Sequence, residues 1–524
     1  MNAVTPIVRA EGDREPAAGQ QHADVDVLIV GAGISGIGMA VHLQRECPGK
    51  TFRIVERRAN LGGTWDLFRY PGIRSDSDMY TLGFDFEPWT HERSIAEGKT
   101  IRDYLGQIVD QRGLRDAIAF DTKVESASWS SADALWTLTC AGKDGETVTH
   151  RAKFLYLGSG YYDHDAGYDA GFEGREAFSG QIVHPQFWPE NLDYAGKRVV
   201  VIGSGATAVT IVPSMVNGSD NGKVAAHVTM LQRTPGWLVG IPARDRIALF
   251  LRKWLPAKLA YSAIRFKNTR IQNIMFNRCR TQPEKVSETI TKRLKANIGD
   301  RYTEEDFRPP YKPWEQRMCF VPDNDLFTAI NDGKADIVTD HIDRFDATGV
   351  QLKSGKHLDA DIIVTATGLK VAIAGKIAVS VDGRPISWNQ HYFYKGCMFS
   401  DVPNLATVFG YAAASWTLKT DLVGHFVCRL INHMDRHGAD IVTPCISEED
   451  KGDDAATFNL TSGYIQRSIH EMPRSGNRAP WRLNHGYLAD RPVMLREPID
   501  DGVLAFRRKG ADAVQSEALS EAAE

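Results

Sequence analysis

Two glycine clusters, each directly behind a short β-branched run, constrain this chain more than any other feature in it. Residues 25–30 read VDVLIV and run into Gly31-Ala32-Gly33-Ile34-Ser35-Gly36. Residues 199–202 read VVVI and run into Gly203-Ser204-Gly205-Ala206-Thr207-Ala208. Each apolar run reads as a buried strand, and the pattern after each cluster reads as a helix. Glycine here permits the tight strand-to-helix turn and lets bare backbone N–H groups approach a pyrophosphate at the helix N-terminus. Ala208 in the last place is a permitted variant. A lone G-x-G-x-x-G is weak evidence, but here the first cluster is followed by a strand, Phe52–Val55, that ends in Glu56, whose carboxylate suits a ribose diol. The second is followed by a strand pattern at 227–231 that ends in Gln232, Arg233 and Thr234. A carboxylate repels a ribose 2′-phosphate, whereas an arginine holds one bidentately. The first unit therefore suits FAD and the second NADPH.

A chain of 524 residues predicts two or three domains. The net charge of −4 gives no reason to expect nucleic acid. Seven cysteines, scattered and without C-x-x-C, favour reduced thiols in a cytoplasmic compartment over a disulfide scaffold or a metal site. Residues 1–24 carry charge, Pro, Gly and Gln without an apolar run and read as a flexible extension. Residues 510–524, rich in Ala and Glu, read as a disordered tail. No transmembrane span is expected. Between 244 and 280, ten Lys or Arg stand against one acid, interleaved with Trp254, Tyr261, Phe266 and Phe276 at helical spacing. This reads as a helical insertion whose apolar face packs on its host domain; peripheral contact with an anionic membrane surface is the alternative.

Two further blocks carry a resemblance. Residues 62–76 read GGTWDLFRYPGIRSD and residues 178–189 read FSGQIVHPQFWP. The first is similar to the flavin-contacting motif G-G-x-W-x4-Y-P-G-x3-D of type I Baeyer–Villiger monooxygenases, and the second to their signature F-x-G-x3-H-x3-W-P. The resemblance implies that Thr64, Trp65, Asp66, Leu67, Arg74, Ser75, Asp76 and Val124 contact FAD, and that Asp76 pairs with an active-site arginine. That arginine aligns with Arg317, over the flavin. Many members carry Lys just before it; here Gln316 removes one phosphate contact. Phe178, Gly180, His184, Trp188 and Pro189 form the signature, with His184 coupling domain movement to catalysis. Ser415 is the expected N-cap of a helix bearing Leu418, Leu422, Phe426 and Leu430 on one face, its N-terminus near the flavin. Trp481 is aligned with a tryptophan lining the substrate region.

The reading is an α/β protein with two Rossmann-like dinucleotide-binding domains and a helical insertion in the second. Residues 25–160 and 369–509 form the FAD domain, 161–240 and 315–368 the NADPH domain, and 241–314 the insertion. The implied activity is oxygen insertion from O2 beside a ketone carbonyl, through a C4a-peroxyflavin, to give an ester or lactone, with sulfide as a further substrate. Arg317 would stabilise the anionic states. The rivals are a flavin-containing monooxygenase acting on N or S centres, against which Trp188-Pro189 argues, and a non-catalytic NADP-sensing or partner-binding flavoprotein.

Overall fold

The computed structural model describes residues 23–218, 222–411, 414–452, 462–484 and 486–510. The sequence readings of residues 1–22 and 511–524 lie outside the described residues. At the centre of the first sheet, strand Val25–Val30 lies parallel between Phe52–Val55 and Thr147–Leu157. Helix Ile34–Glu46 makes the crossover from the first to the second strand. A meander not foreseen from the sequence widens this sheet, with Thr147–Leu157 antiparallel to Leu135–Ala141 and that strand to Lys123–Ser130. The later chain returns to the same sheet, placing Ala378–Val381 beside Lys123–Ser130 and Leu405–Thr407 beside Thr147–Leu157. The unit is therefore discontinuous in sequence.

The second sheet is wholly parallel, in the order Ala335–Thr339, His227–Gln232, Arg198–Ile202, Ile362–Thr365 and Gln181–Val183. Its central strands Arg198–Ile202 and Ile362–Thr365 are near-continuous Val/Ile runs, as burial on both faces requires. The FSGQIVH stretch thus supplies its edge strand and is more than a linker. Two short segments join the units, and they lie together as an antiparallel ribbon in which Tyr162–Gly167 pairs with Leu369–Val371.

Strand Leu238–Ile241 pairs with Cys319–Pro322, so the insertion leaves and re-enters at one place. Between them run helices Arg246–Trp254, Ala257–Thr281 and Pro283–Ile298. The sequence placed this insertion on its host domain, but it packs on both. Leu294 and Ile298 join the core of the second unit. The long helix docks on the first unit, where buried Arg265 donates to the Gly83 carbonyl at 2.6 Å and to Asp421 at 2.7 Å, and Tyr261 donates to the Phe84 carbonyl at 2.8 Å.

Helix Trp416–His437 covers the Ile34–Glu46 helix, with Leu418, Leu422, Phe426 and Leu430 buried as expected. Ser415 holds the N-cap position, but its hydroxyl bonds Thr81 Oγ1 at 2.6 Å, and no side chain caps the helix. Between these helices, His42 Nδ1 and His425 Nδ1 each lie 2.9 Å from Glu46 Oε1, and His425 Nε2 lies 3.3 Å from Asp85. Asp421 faces both His42 and Arg265, and Arg45 lies 3.7 Å from Asp85. Burial opposes the His425 charge, yet Asp85 and Glu46 hold its pKa up to about 10; burial likewise opposes the Glu46 charge, yet the two histidines hold it down to about 2. A raised histidine stabilises fully below its ordinary 6.5 and loses that contribution as pH rises through about 10. A depressed carboxylate stabilises fully above its ordinary 4.5 and loses that contribution as pH falls toward about 2. Replacing His425→Gln should therefore cost most between those ordinary values, about 1.5–3 kcal/mol. Melting temperatures of parent and variant across pH should converge toward pH 10; a difference that grows with pH would refute the charged network.

Candidate active site

The carboxyl ends of both sheets open onto one cavity of about 920 Å³, the position expected for ligands of open α/β sheets. From the first unit, Gly31, Gly33, Ser35, Glu56, Thr64, Trp65, Arg74, Ser75, Asp76 and Val124 line it. From the second come Gly203, Ser204, Gly205, Ala206, Thr207, Arg233 and Thr234. Both helices therefore aim their N-termini into a shared space.

The first loop fits a pyrophosphate. Gly33 and Gly63 face each other so closely that a Cβ on Gly63 would stand 3.0 Å from the Gly33 Cα, leaving bare backbone on both sides. Gly36 packs against the Gly31 carbonyl and holds the helix to its strand. Buried Glu56 accepts from the Ala32 amide at 2.8 Å and the Arg58 amide at 2.9 Å, fixing its carboxylate at the cavity wall. Burial raises its pKa, with those two amides opposing. Trp416 Nε1 donates to Ser35 Oγ at 2.8 Å while its indole stacks on Tyr161, placing the 416–437 helix N-terminus at the same cavity.

At the second loop, Arg233 is exposed at the cavity and has no acidic partner among the described residues. Gln232 beside it is buried and donates to the Asp306 carbonyl and to Thr339, and Ala208 lies in the core; neither lines the cavity. For Gln232, the last residue of its strand, side-chain alternation explains this: it points to the face opposite Arg233.

Arg317 comes from the second unit and Asp76 from the first, and their side chains meet at 3.2 Å inside the cavity. The Asp76 loop is held from several sides. Arg74 pairs with Asp325, and Ser75 N–H donates to the Ala96 carbonyl at 2.9 Å. Asn268 and Gln272 of the long insertion helix donate to Asp78 at 2.8 and 2.9 Å. These two amides were not singled out in the sequence, because nothing local links residue 78 to 268.

Several sequence candidates sit elsewhere. Asp66 is fully buried beneath Arg58, Arg69 and Arg102, at 2.8, 3.0 and 3.3 Å, and Leu67 lies in the core of the second unit. Neither lines the cavity, so both support the Thr64–Trp65 wall from behind. Trp481 is wholly buried against Tyr394 in the first core and lines no part of the cavity, which overturns its alignment with a substrate-site tryptophan. Tyr161, Tyr162 and Trp416 do line it, and the sequence reading had not marked them.

The family model described as pyridine nucleotide-disulphide oxidoreductase matches residues 28–274. The probable FAD-binding monooxygenase AlmA of Acinetobacter sp is 46% identical over 486 residues, 93% of this chain and 97% of its own. The FAD-containing monooxygenase EthA of Mycobacterium tuberculosis is 48% identical over 491 residues, 93% of this chain and 98% of its own. The chain belongs to the FAD-containing monooxygenases. Among solved structures, a steroid monooxygenase bound to NADP matches with a TM-score of 0.73 at 23% identity, over 92% of this chain and 99% of that one. A cyclohexanone monooxygenase bound to epsilon-caprolactone matches with a TM-score of 0.71 at 23% identity, over the same shares. These likenesses establish the fold with two dinucleotide-binding domains.

In this monooxygenase, Cys319 is the cysteine lining the cavity among the described residues; burial and Asp76 push its thiol up to about 12, with Arg317 opposing. The signature stretch lies outside the cavity. Phe178 packs over Gly180, where a Cβ would stand 2.3 Å from the Asp361 carbonyl. Trp188 packs on the core of the second unit, and Pro189 accepts from the Leu192 amide at 3.2 Å. His184 Nδ1 accepts from the Gln186 amide at 3.2 Å; burial lowers its pKa, with the Gly368 backbone opposing. Its ring lies flat against Gly167, which pairs with Leu369 in the connecting ribbon. A Cβ at Gly167 would stand 2.3 Å from His184 Cε1. Gly167→Ala should therefore cost about 1–3 kcal/mol by overpacking, and adding His184→Ala should recover most of it. A melting-temperature cycle in which the two losses simply add would show that the ring and the ribbon are not coupled.

Proposed function

We propose that this monooxygenase carries out Baeyer–Villiger oxygenation, using NADPH and O2 to insert one oxygen atom beside a ketone carbonyl and releasing an ester or lactone, with sulfides as further substrates. The observation that carries this reading is the Arg317–Asp76 pair, one residue from each nucleotide unit, inside the cavity both glycine loops share. Solved steroid and cyclohexanone monooxygenases of the same fold support it.

The residues divide the work. Gly31, Gly33 and Gly63 would offer bare backbone to the FAD pyrophosphate and Glu56 its carboxylate to the ribose diol, with Thr64, Trp65, Ser75 and Val124 forming the wall. Gly203, Ser204, Gly205, Ala206 and Thr207 would hold the NADPH pyrophosphate, and Arg233 the 2′-phosphate, with Thr234 beside it. Bound flavin supplies the electron transfer from NADPH and the activation of O2. Arg317 supplies a cation that needs no reorganisation as negative charge develops on oxygen. Asp76 holds the planar guanidinium in one orientation, which a lysine could not match. Cys319, kept as a thiol, takes no part in charge balance. His184, packed on the ribbon, would transmit movement of one unit against the other without touching substrate.

Two substitutions separate these roles. Arg317→Ala should retain FAD and oxidise NADPH, yet release hydrogen peroxide in place of ester, with ester formation down ~100–1000-fold. Arg233→Ala should weaken NADPH binding by about 1.5–3 kcal/mol and leave NADH nearly unchanged. Ester formation at the parental rate in the first variant, or equal losses for both nucleotides in the second, would overturn the respective assignment.

A further inference from the structure

Nine of the eleven large hydrophobic side chains exposed among the described residues fall between Ile247 and Met275, in two insertion helices and their linker. Trp254 is 67% exposed, Phe250 63%, Leu259 61% and Phe266 57%. Their spacing is regular. In helix Arg246–Trp254, Ile247, Phe250 and Trp254 share one face, opposite buried Ala248. In helix Ala257–Thr281, Leu259, Phe266, Arg270 and Ile274 form a stripe opposite Tyr261 and Arg265, the residues that dock the helix on the first unit. The anchored face is already satisfied, so the apolar stripe is a second, outward face.

The charge around it selects what can cover it. Residues 244–280 carry ten Lys or Arg and one acid, in a chain whose net charge is −4. That acid, Asp245, caps the first helix and pairs with Lys267 at 2.5 Å. Arg246, Lys253, Lys258, Arg270, Arg278 and Arg280 are exposed and have no acidic partner among the described residues. A second copy offering the same face would set cation against cation, so self-association is disfavoured. Lys253 lies over Trp254 at 5.6 Å and Arg270 over Phe266 at 3.6 Å, so cationic heads sit beside aromatic rings that reach outward. Rings at headgroup depth, flanked by long basic side chains that keep their charge in water, match the interface of an anionic bilayer. No helix among the described residues is long and apolar enough to cross a membrane.

We propose that the helices Arg246–Trp254 and Ala257–Thr281 form a docking face for an anionic lipid surface, with Phe250, Trp254, Leu259 and Phe266 entering the headgroup boundary and the surrounding cations facing lipid phosphates. This face is remote in role from the cofactor cavity: none of these four residues lines it.

The test is co-sedimentation of the FAD-loaded full-length enzyme with sucrose-filled vesicles of phosphatidylcholine alone or mixed with phosphatidylglycerol. The enzyme should pellet with the mixed vesicles, stay in solution with pure phosphatidylcholine, and release as salt shortens the screening length to a few ångströms. Phe250→Ser with Trp254→Ser and Phe266→Ser should weaken binding roughly tenfold or more per residue, with unchanged flavin content and NADPH oxidation in solution. Reversing charge with Lys253→Glu and Lys258→Glu, which leaves Phe250, Trp254, Leu259 and Phe266 in place, should weaken it as well. Parental enzyme that ignores mixed vesicles, or a serine variant that binds as well as the parent, overturns the proposal. So does a parental dimer in light scattering that becomes monomeric in the serine variant, since the face would then be a protein interface.

Discussion

Both nucleotide units hang on one two-stranded ribbon, Tyr162–Gly167 against Leu369–Val371. The direction in which each glycine loop faces follows from it, because the chain crosses between the units only along these two neighbouring segments. Each unit carries one partner of the Arg317–Asp76 pair. That pair is too exposed, at 36% and 30% of its side chains, to hold the units together; ion pairs this open to water contribute little stability. The stronger restraint is apolar: Leu67, Phe68 and Tyr70, from the loop that leads to Asp76, lie in the core of the second unit. The pair is thus positioned by packing, and little energy is needed to open it.

The parts legible in the sequence are those imposed by backbone geometry. Glycine clusters behind β-branched runs identify both folds, and Glu56 and Arg233, each just past the end of a strand, both reach the cavity. What the sequence does not reveal depends on contacts between distant residues. Gln181–Val183 is an edge strand of three residues, too short for any period to show. Gln232 and Asp66 sit beside cavity residues in sequence but turn into the core, where hydrogen bonds and arginines satisfy them. The amides of Asn268 and Gln272 on Asp78, and the indole of Trp416 on Ser35, join segments with no shared local pattern.

The insertion shows the same division. Its basic and apolar composition is plain in the sequence and allows two readings, packing or an outward interface. The long helix packs on one side and carries exposed Leu259, Phe266 and Ile274 opposite buried Tyr261 and Ile264. Helix periodicity can reveal such a double face only when one partner is known, and here the docked side is identified by Arg265 and Tyr261.

On the proposed reading, the shared cavity inserts one atom of O2 beside a carbonyl at the expense of NADPH. The most direct measurement is incubation of the FAD-loaded enzyme with NADPH and a ketone under ¹⁸O2, followed by mass spectrometry of the product. An ester or lactone carrying one ¹⁸O atom, formed only when NADPH is present, is the predicted result. Ketone recovered unchanged while an amine or sulfide in the same panel is oxidised would contradict the account.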